Sequence, residues 1–149
     1  MKTFLILLTF ASSSLVTYAQ THDEIISRRA TEFHRVLTVK DEDLWRQFMK
    51  DNYTTALLER PVRAKIAHDG GGNATPDEKE KPDPIESKLV MFERLNADFG
   101  NSKIVSLRPA GDKVEMVVSN GGMTGTFKLT FDKAAPHLID GIAVEVGDH

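Results

Sequence analysis

The chain is 149 residues long and 40% hydrophobic, with a formal net charge of −3 and no cysteine. That length can bury a core without covalent staples, and the missing thiols exclude disulfides, thiolate metal sites, a cysteine nucleophile and a lipid-modified cysteine. The mildly acidic balance, with no long Lys/Arg run, excludes the basic footprint of a nucleic-acid binder and a polybasic membrane anchor.

Residues 1–19 carry a secretory pattern. Lys2 gives a positive head, Phe4 to Phe10 an apolar run, and Thr17, Tyr18 and Ala19 the small-residue approach to a cut. The apolar run is too short for a membrane span, and nothing after it approaches that length. We expect cleavage near Ala19, export to the periplasm or beyond, and a single domain over residues 20–149.

Helices come first in that domain. Thr21 and Glu24 make a capping box, and behind them Ile26, Ala30, Phe33 and Leu37 fall on one apolar stripe. A second helix starts near Asp41, with Glu42 and Asp43 at its positive end, and buries Leu44, Trp45, Phe48 and Met49. Asn52 interrupts it, and Tyr53 to Leu58 reads as a short further turn before Pro61. Residues 68–83, rich in glycine, proline and alternating charge, read as a mobile surface loop because they have nothing to bury. At Asp83-Pro84-Ile85-Glu86 a cap, a first-turn proline and an acidic residue coincide. The helix they start carries Ile85, Leu89, Phe92, Leu95 and Phe99, and Gly100 is expected to end it in the left-handed conformation.

The period then changes to two. Ile104 to Leu107 is one strand; Val114, Met116 and Val118 mark a second; Asn120-Gly121-Gly122 is a hairpin; Phe127, Leu129 and Phe131 mark a third. The fourth, Leu138 to Val146, keeps its phase only if one extra residue near Asp140-Gly141 forms a β-bulge. The expected fold is α+β: N-terminal helices packed on the concave face of a curved four-stranded antiparallel meander, a cone-shaped α+β barrel.

Several phrases carry a family resemblance. Asp43 to Phe48 (DLWRQF), Asp51 to Thr54, Leu57-Leu58 and Pro136 to Ile142 (PHLIDGI) resemble nuclear-transport-factor-two-like, cystatin-like α+β domains. Within that family they are most similar to the accessory domains beside exported serine hydrolases of the beta-lactamase-related type. The resemblance spans about Glu24 to Val146, outside the loop. It implies a cone whose mouth can hold a small molecule. The hydrolase half is absent here, since no serine is followed three residues on by lysine, so the resemblance implies an accessory or ligand-holding module rather than a hydrolase. Relatives in the wider superfamily isomerise or dehydrate small molecules, which keeps a small isomerase or dehydratase with a cavity carboxylate as the alternative.

That alternative needs a carboxylate or histidine in an apolar cavity, facing a donor such as a buried tyrosine. Beyond the signal, Tyr53 is the single tyrosine. Asp140 beside Gly141 reads as a turn or bulge residue, Glu115 and Glu145 alternate outward with their strands, and His34 lies off the core stripe. Trp45, Phe48, Tyr53, Phe92, Met116, Phe127 and Asp140 are the pocket candidates, with Trp45 and Tyr53 foremost as amphipathic rings near a helix end. Core packing is the competing role for the apolar ones.

No metal site or cofactor is expected: His22, His34, His68, His137 and His149 are scattered, and no two share a helical i, i+4 spacing. Asn52 and Asn73 match the glycosylation acceptor pattern, which matters only in a eukaryotic secretory pathway. The expected partners are a small apolar molecule or another envelope protein, with a homodimer open. A docking patch on the outer sheet face would have to come from Val105 or Val117, because Thr126, Lys128 and Thr130 are polar.

Overall fold

The structure is a computed structural model that describes residues 20–62 and 83–148. The expected signal at 1–19 and the loop at 68–82 lie outside the described residues. Among the described residues four helices, α1 (His22–Leu37), α2 (Glu42–Asn52), α3 (Thr55–Glu59) and α4 (Pro84–Phe99), precede four strands. The strands are β1 (Lys103–Ala110), β2 (Lys113–Ser119), β3 (Met123–Phe131) and β4 (Ile139–Asp148). They form one open antiparallel sheet in the order β1-β2-β3-β4. The α+β class and the meander are as the sequence predicts; the sheet does not close into a barrel. No helix among the described residues is long and apolar enough to cross a membrane.

Each helix starts where its cap dictates. Thr21 Oγ1 accepts from Glu24 N at 3.3 Å while Thr21 N donates to Glu24 Oε2 at 2.9 Å, which satisfies two first-turn donors reciprocally. Asp41 accepts from Leu44 N at 3.0 Å, Thr54 from Leu57 N at 3.1 Å and Asp83 from Ile85 N at 2.8 Å. One terminus departs from expectation. Gly100 caps α4 in the right-handed region, at φ −58° and ψ −24°. Its need for glycine comes from proximity instead, because a Cβ there would stand 2.5 Å from the Asn96 carbonyl oxygen.

The sheet carries two bulges. Phe131 pairs with Ile139 and Thr130 with Gly141, so Asp140 is the extra residue that restores the apolar phase of β4. A second shift, between Ile104 and Ser106 against Val118 and Val117, leaves Val105 unpaired and 66% exposed. Gly111 and Gly121 hold the two tight turns at φ 62° and 92°.

The core lies between the helices and the inner sheet face. Ile26, Ala30, Phe33, Val36 and Leu37 of α1 meet Trp45, Phe48 and Met49 of α2, Leu89, Phe92 and Phe99 of α4, and Val114, Met116, Val118, Phe127, Leu129, Phe131 and Ile139 of the sheet. Phe33 is its hub, with ring centroids 5.7 Å from Phe92, 5.7 Å from Phe127 and 6.1 Å from Phe48. Across the inner face, Phe99 lies over Gly125; a Cβ there would fall 2.6 Å from the Phe99 ring, so that close approach requires glycine.

Candidate functional site: the Tyr53 cavity

The bulge at Asp140 organises the site. Thr54 N donates to Ile139 O at 2.9 Å, which docks the α2–α3 junction beside β4 as an isolated parallel bridge between Tyr53 and Ile139. The bulged Asp140 then accepts from the Thr54 hydroxyl at 2.8 Å, while the same hydroxyl oxygen caps α3. Tyr53 is thereby held in the wall between α3, α4 and β4.

A cavity of about 210 Å³ opens there, lined by Tyr53, Leu57, Arg60, Pro61, Val62, Lys88, Met91 and Ile142. Tyr53 is 3% exposed, and its hydroxyl has no hydrogen-bond partner among the described residues. An unpaired buried hydroxyl costs on the order of 1–3 kcal/mol, so such a group points to a missing partner. Burial pushes its pKa well above the ordinary tyrosine value. The phenol stays protonated and keeps a donor that no described group accepts.

Lys88 supplies the charge. The side chain is 3% exposed, and its ammonium donates to Leu58 O at 2.7 Å, Arg60 O at 2.7 Å and Pro84 O at 3.2 Å. Three protons meet three carbonyls, two of which come from the end of α3, where the helix itself leaves acceptors unpaired. Desolvation, helped by nearby Arg60, lowers its pKa. Sequence reasoning missed this lysine. The signal was present, since Lys88 falls three residues after Ile85 and four before Phe92, within the apolar stripe of α4.

The other sequence candidates lie elsewhere. Trp45 is buried, and its indole N–H is shared between Val36 O at 3.1 Å and Val39 O at 2.8 Å. Phe48, Phe92, Met116 and Phe127 pack in the core, off the cavity wall, although Phe48 backs the Tyr53 ring at 6.0 Å between centroids. Asp140 faces a separate shallow cleft with Thr54, Ala56, Asp112 and Thr130. Glu145 pairs with Lys128 at 2.6 Å across the outer sheet face, and Glu115 shares that face. The structure therefore brings Tyr53 to the cavity and ties Asp140 behind it, but does not join them in one chamber.

His34, off the core stripe of α1 in sequence, is nonetheless partly enclosed. It is half-buried, and its Nε2 lies 3.1 Å from the buried Ser102 hydroxyl. Desolvation holds its pKa below the ordinary histidine value, with the Ser102 contact pulling the other way. The folded chain thus binds this proton less readily than the unfolded chain. Stability is expected to fall as pH drops through the ordinary histidine range toward the lower folded value, and to be insensitive to this group below it. Urea midpoints across that window check this, and His34→Gln should flatten the slope.

Comparison with protein-family models, curated proteins and solved structures finds no match to this chain. The site's own chemistry therefore carries the functional argument.

Proposed function

We propose that this chain is an exported, non-catalytic module of the nuclear-transport-factor-two-like kind whose Tyr53 cavity holds a small apolar acid. The order of helices then meander, the bulge at Asp140 and the phrases around Trp45 and Ile139 support the kinship. The pattern of residues 1–19 supports export. The observation that carries the binding role is the Tyr53 hydroxyl, a protonated donor with no partner among the described residues, in an apolar wall beside two cations, Lys88 and Arg60.

An acid fits that combination. Its carboxylate would take the phenol proton as a charge-assisted hydrogen bond and lie in the positive potential, while its hydrocarbon part would cover Leu57, Met91 and Ile142. The isomerase alternative needs an acid–base group in this chamber, and the described lining has neither carboxylate nor histidine. On the outer sheet face the Lys128–Glu145 pair and the threonines surround half-buried Val117, and the exposed Val105 stands singly at the bulge of the edge strand, which supports a protein partner there less than the cavity supports a small ligand.

Octanoate, 2-phenylbutanoate and 1-octanol, titrated separately against the purified chain by calorimetry, test the proposal. Both acids should bind, and the alcohol more weakly. Tyr53→Phe should keep the fold and weaken acid binding about five- to tenfold, the worth of one hydrogen bond of roughly 1–1.4 kcal/mol. Met91→Trp, which fills the chamber, should abolish binding. Failure of both acids to bind, or undiminished binding by Met91→Trp, sinks the reading. Turnover of an ester, lactam or keto-steroid by the pure chain, abolished in Asp140→Asn, overturns its non-catalytic part.

A further inference from the structure

The sheet has two edges, and they are built differently. The β1 edge carries Lys103, Arg108 and Pro109, and the bulge at Val105 breaks its register. Cations, a proline and a bulge are the devices that keep an edge strand from pairing with another chain. On β4 the stretch from Gly141 to Gly147 reads GIAVEVG, with no proline and no cation. Its one charged residue, Glu145, is already paired with Lys128 at 2.6 Å.

Only the start of the β4 edge is occupied among the described residues. Tyr53 bridges to Ile139, Thr54 N donates to Ile139 O, and Arg60 Nη1 donates to Asp140 O at 3.3 Å. From Gly141 to Gly147, β4 pairs with β3 on one side and with no described strand on the other. That side presents a row of backbone N–H and C=O groups open to a further strand. The inner face along it is incomplete as well. Phe127 and Leu129 of β3 are fully buried, whereas Val144 and Ile142 opposite them are partly exposed and Val146 is 56% exposed.

We propose that this edge pairs with a second copy of the chain, β4 against β4 in antiparallel register, joining two four-stranded sheets into one. The residues select the register. Val144 is the midpoint of the open stretch, and a two-fold axis there sets Val144 against its own copy, Ile142 against Val146 and Ala143 against Glu145. Each apolar residue of the inner face then meets an apolar residue, and Val146 gains a neighbour. A slip of one residue would set inner-face side chains against outer-face ones. An axis at Glu145 would bring two carboxylates directly opposite, which destabilises a strand pair. An axis at Ala143 would run Val146 against the bulged Asp140, where Thr54 and Arg60 already hold the edge. Phase and charge thus agree on one self-complementary arrangement, which is what a two-fold homodimer requires. The paired stretch is short, so the dimer should be weak, with a dissociation constant of about 10–100 µM.

Sedimentation velocity of the purified chain from about 5 to about 500 µM should show monomer passing to dimer. Val146→Lys, at an exposed position, should stay monomeric throughout and keep the thermal midpoint that the unmodified chain has when dilute. Single cysteines read the register, because the chain has none of its own. Directly opposed residues of an antiparallel pair lie about 4.5–5.5 Å apart at Cα, within disulfide reach. Under mild oxidation Val144→Cys should therefore cross-link to its copy. Val146→Cys, though more exposed, would stand about four residues, roughly 13 Å, from its copy and should cross-link far less. Val105→Cys, on the β1 edge, should behave like Val146→Cys. A chain that stays monomeric at about 500 µM overturns the proposal and leaves the edge to an extended segment of another protein. Faster cross-linking at Val146 or Val105 than at Val144 overturns it too. The sedimentation result needs no variant, so it stands even if a substitution loosens the strand.

Discussion

Phe33→Ala is expected to cost about 3–5 kcal/mol of folding free energy, the range for deleting a buried aromatic side chain. The site is fully buried and touches three different elements. The Phe33 ring meets Phe48 of α2, Phe92 of α4 and Phe127 of β3, so its removal opens a cavity that no single element can collapse into. The edge-to-face contacts with Phe92 and Phe127 add stabilisation beyond area burial. A domain of this size has about 5–15 kcal/mol in total, so the variant should unfold at much lower urea and show a shortened native baseline. Phe33→Leu, which keeps most of the volume, should cost well under half as much. A loss below about 1 kcal/mol for Phe33→Ala would mean that the core is not organised around this ring.

Lys88→Met should be the second largest loss, about 2–4 kcal/mol, although a surface lysine would be replaced at almost no cost. Methionine preserves the length of the stem and its packing. What disappears is the ammonium shared by the Leu58, Arg60 and Pro84 carbonyls. Two of those carbonyls close α3, a helix of five residues with little stability of its own. Because α3 and the segment after it form one wall of the Tyr53 cavity, hydrogen exchange should accelerate at Ala56 to Arg60 before the rest of the chain responds. Octanoate affinity should fall as well, through loss of the local positive potential. Unchanged exchange in that segment would remove Lys88 from its structural role.

Much of the fold was legible because local chemistry agreed with global packing. The capping box at Thr21, the aspartate caps at Asp41 and Asp83 and the proline of α4 each act within one turn of their own position. The bulge at Asp140 was legible for a similar reason, since a strand buried on one face cannot change phase without an extra residue. The bulge at Val105 was not, because a short edge strand of mixed exposure carries no alternation strict enough to expose a slip. Gly100 misled for a related reason. Glycine after a helix signals the left-handed cap by frequency, and here it serves a close contact with Asn96 instead.

The candidate site was less legible. Tyr53 could be singled out as an amphipathic ring at a helix end, but Trp45, of the same description, turned its indole N–H to two carbonyls of the α1–α2 connection. Nothing local separates the two residues; what differs is which neighbour supplies an acceptor. Lys88 lies within the apolar stripe of α4, where its burial was legible, whereas His34 lies beside the stripe of α1, where a sequence cannot tell a solvated ring from a half-buried one.

By itself, the sequence determined the element order, the N-terminal caps of α1, α2 and α4, the apolar stripes, the phase of the second and third strands and the need for a bulge in the fourth. Each of these follows from contacts within a few residues or from a period of two or 3.6. Only the tertiary structure decided that Tyr53 and Lys88 share a chamber, that Asp140 is tied behind it to Thr54, and that His22 meets His137. Those meetings depend on how α3 docks against β4 and how the start of α1 reaches the β1–β2 and β3–β4 turns. Their energy comes from side chains far apart in the chain, and no local pattern records such distances.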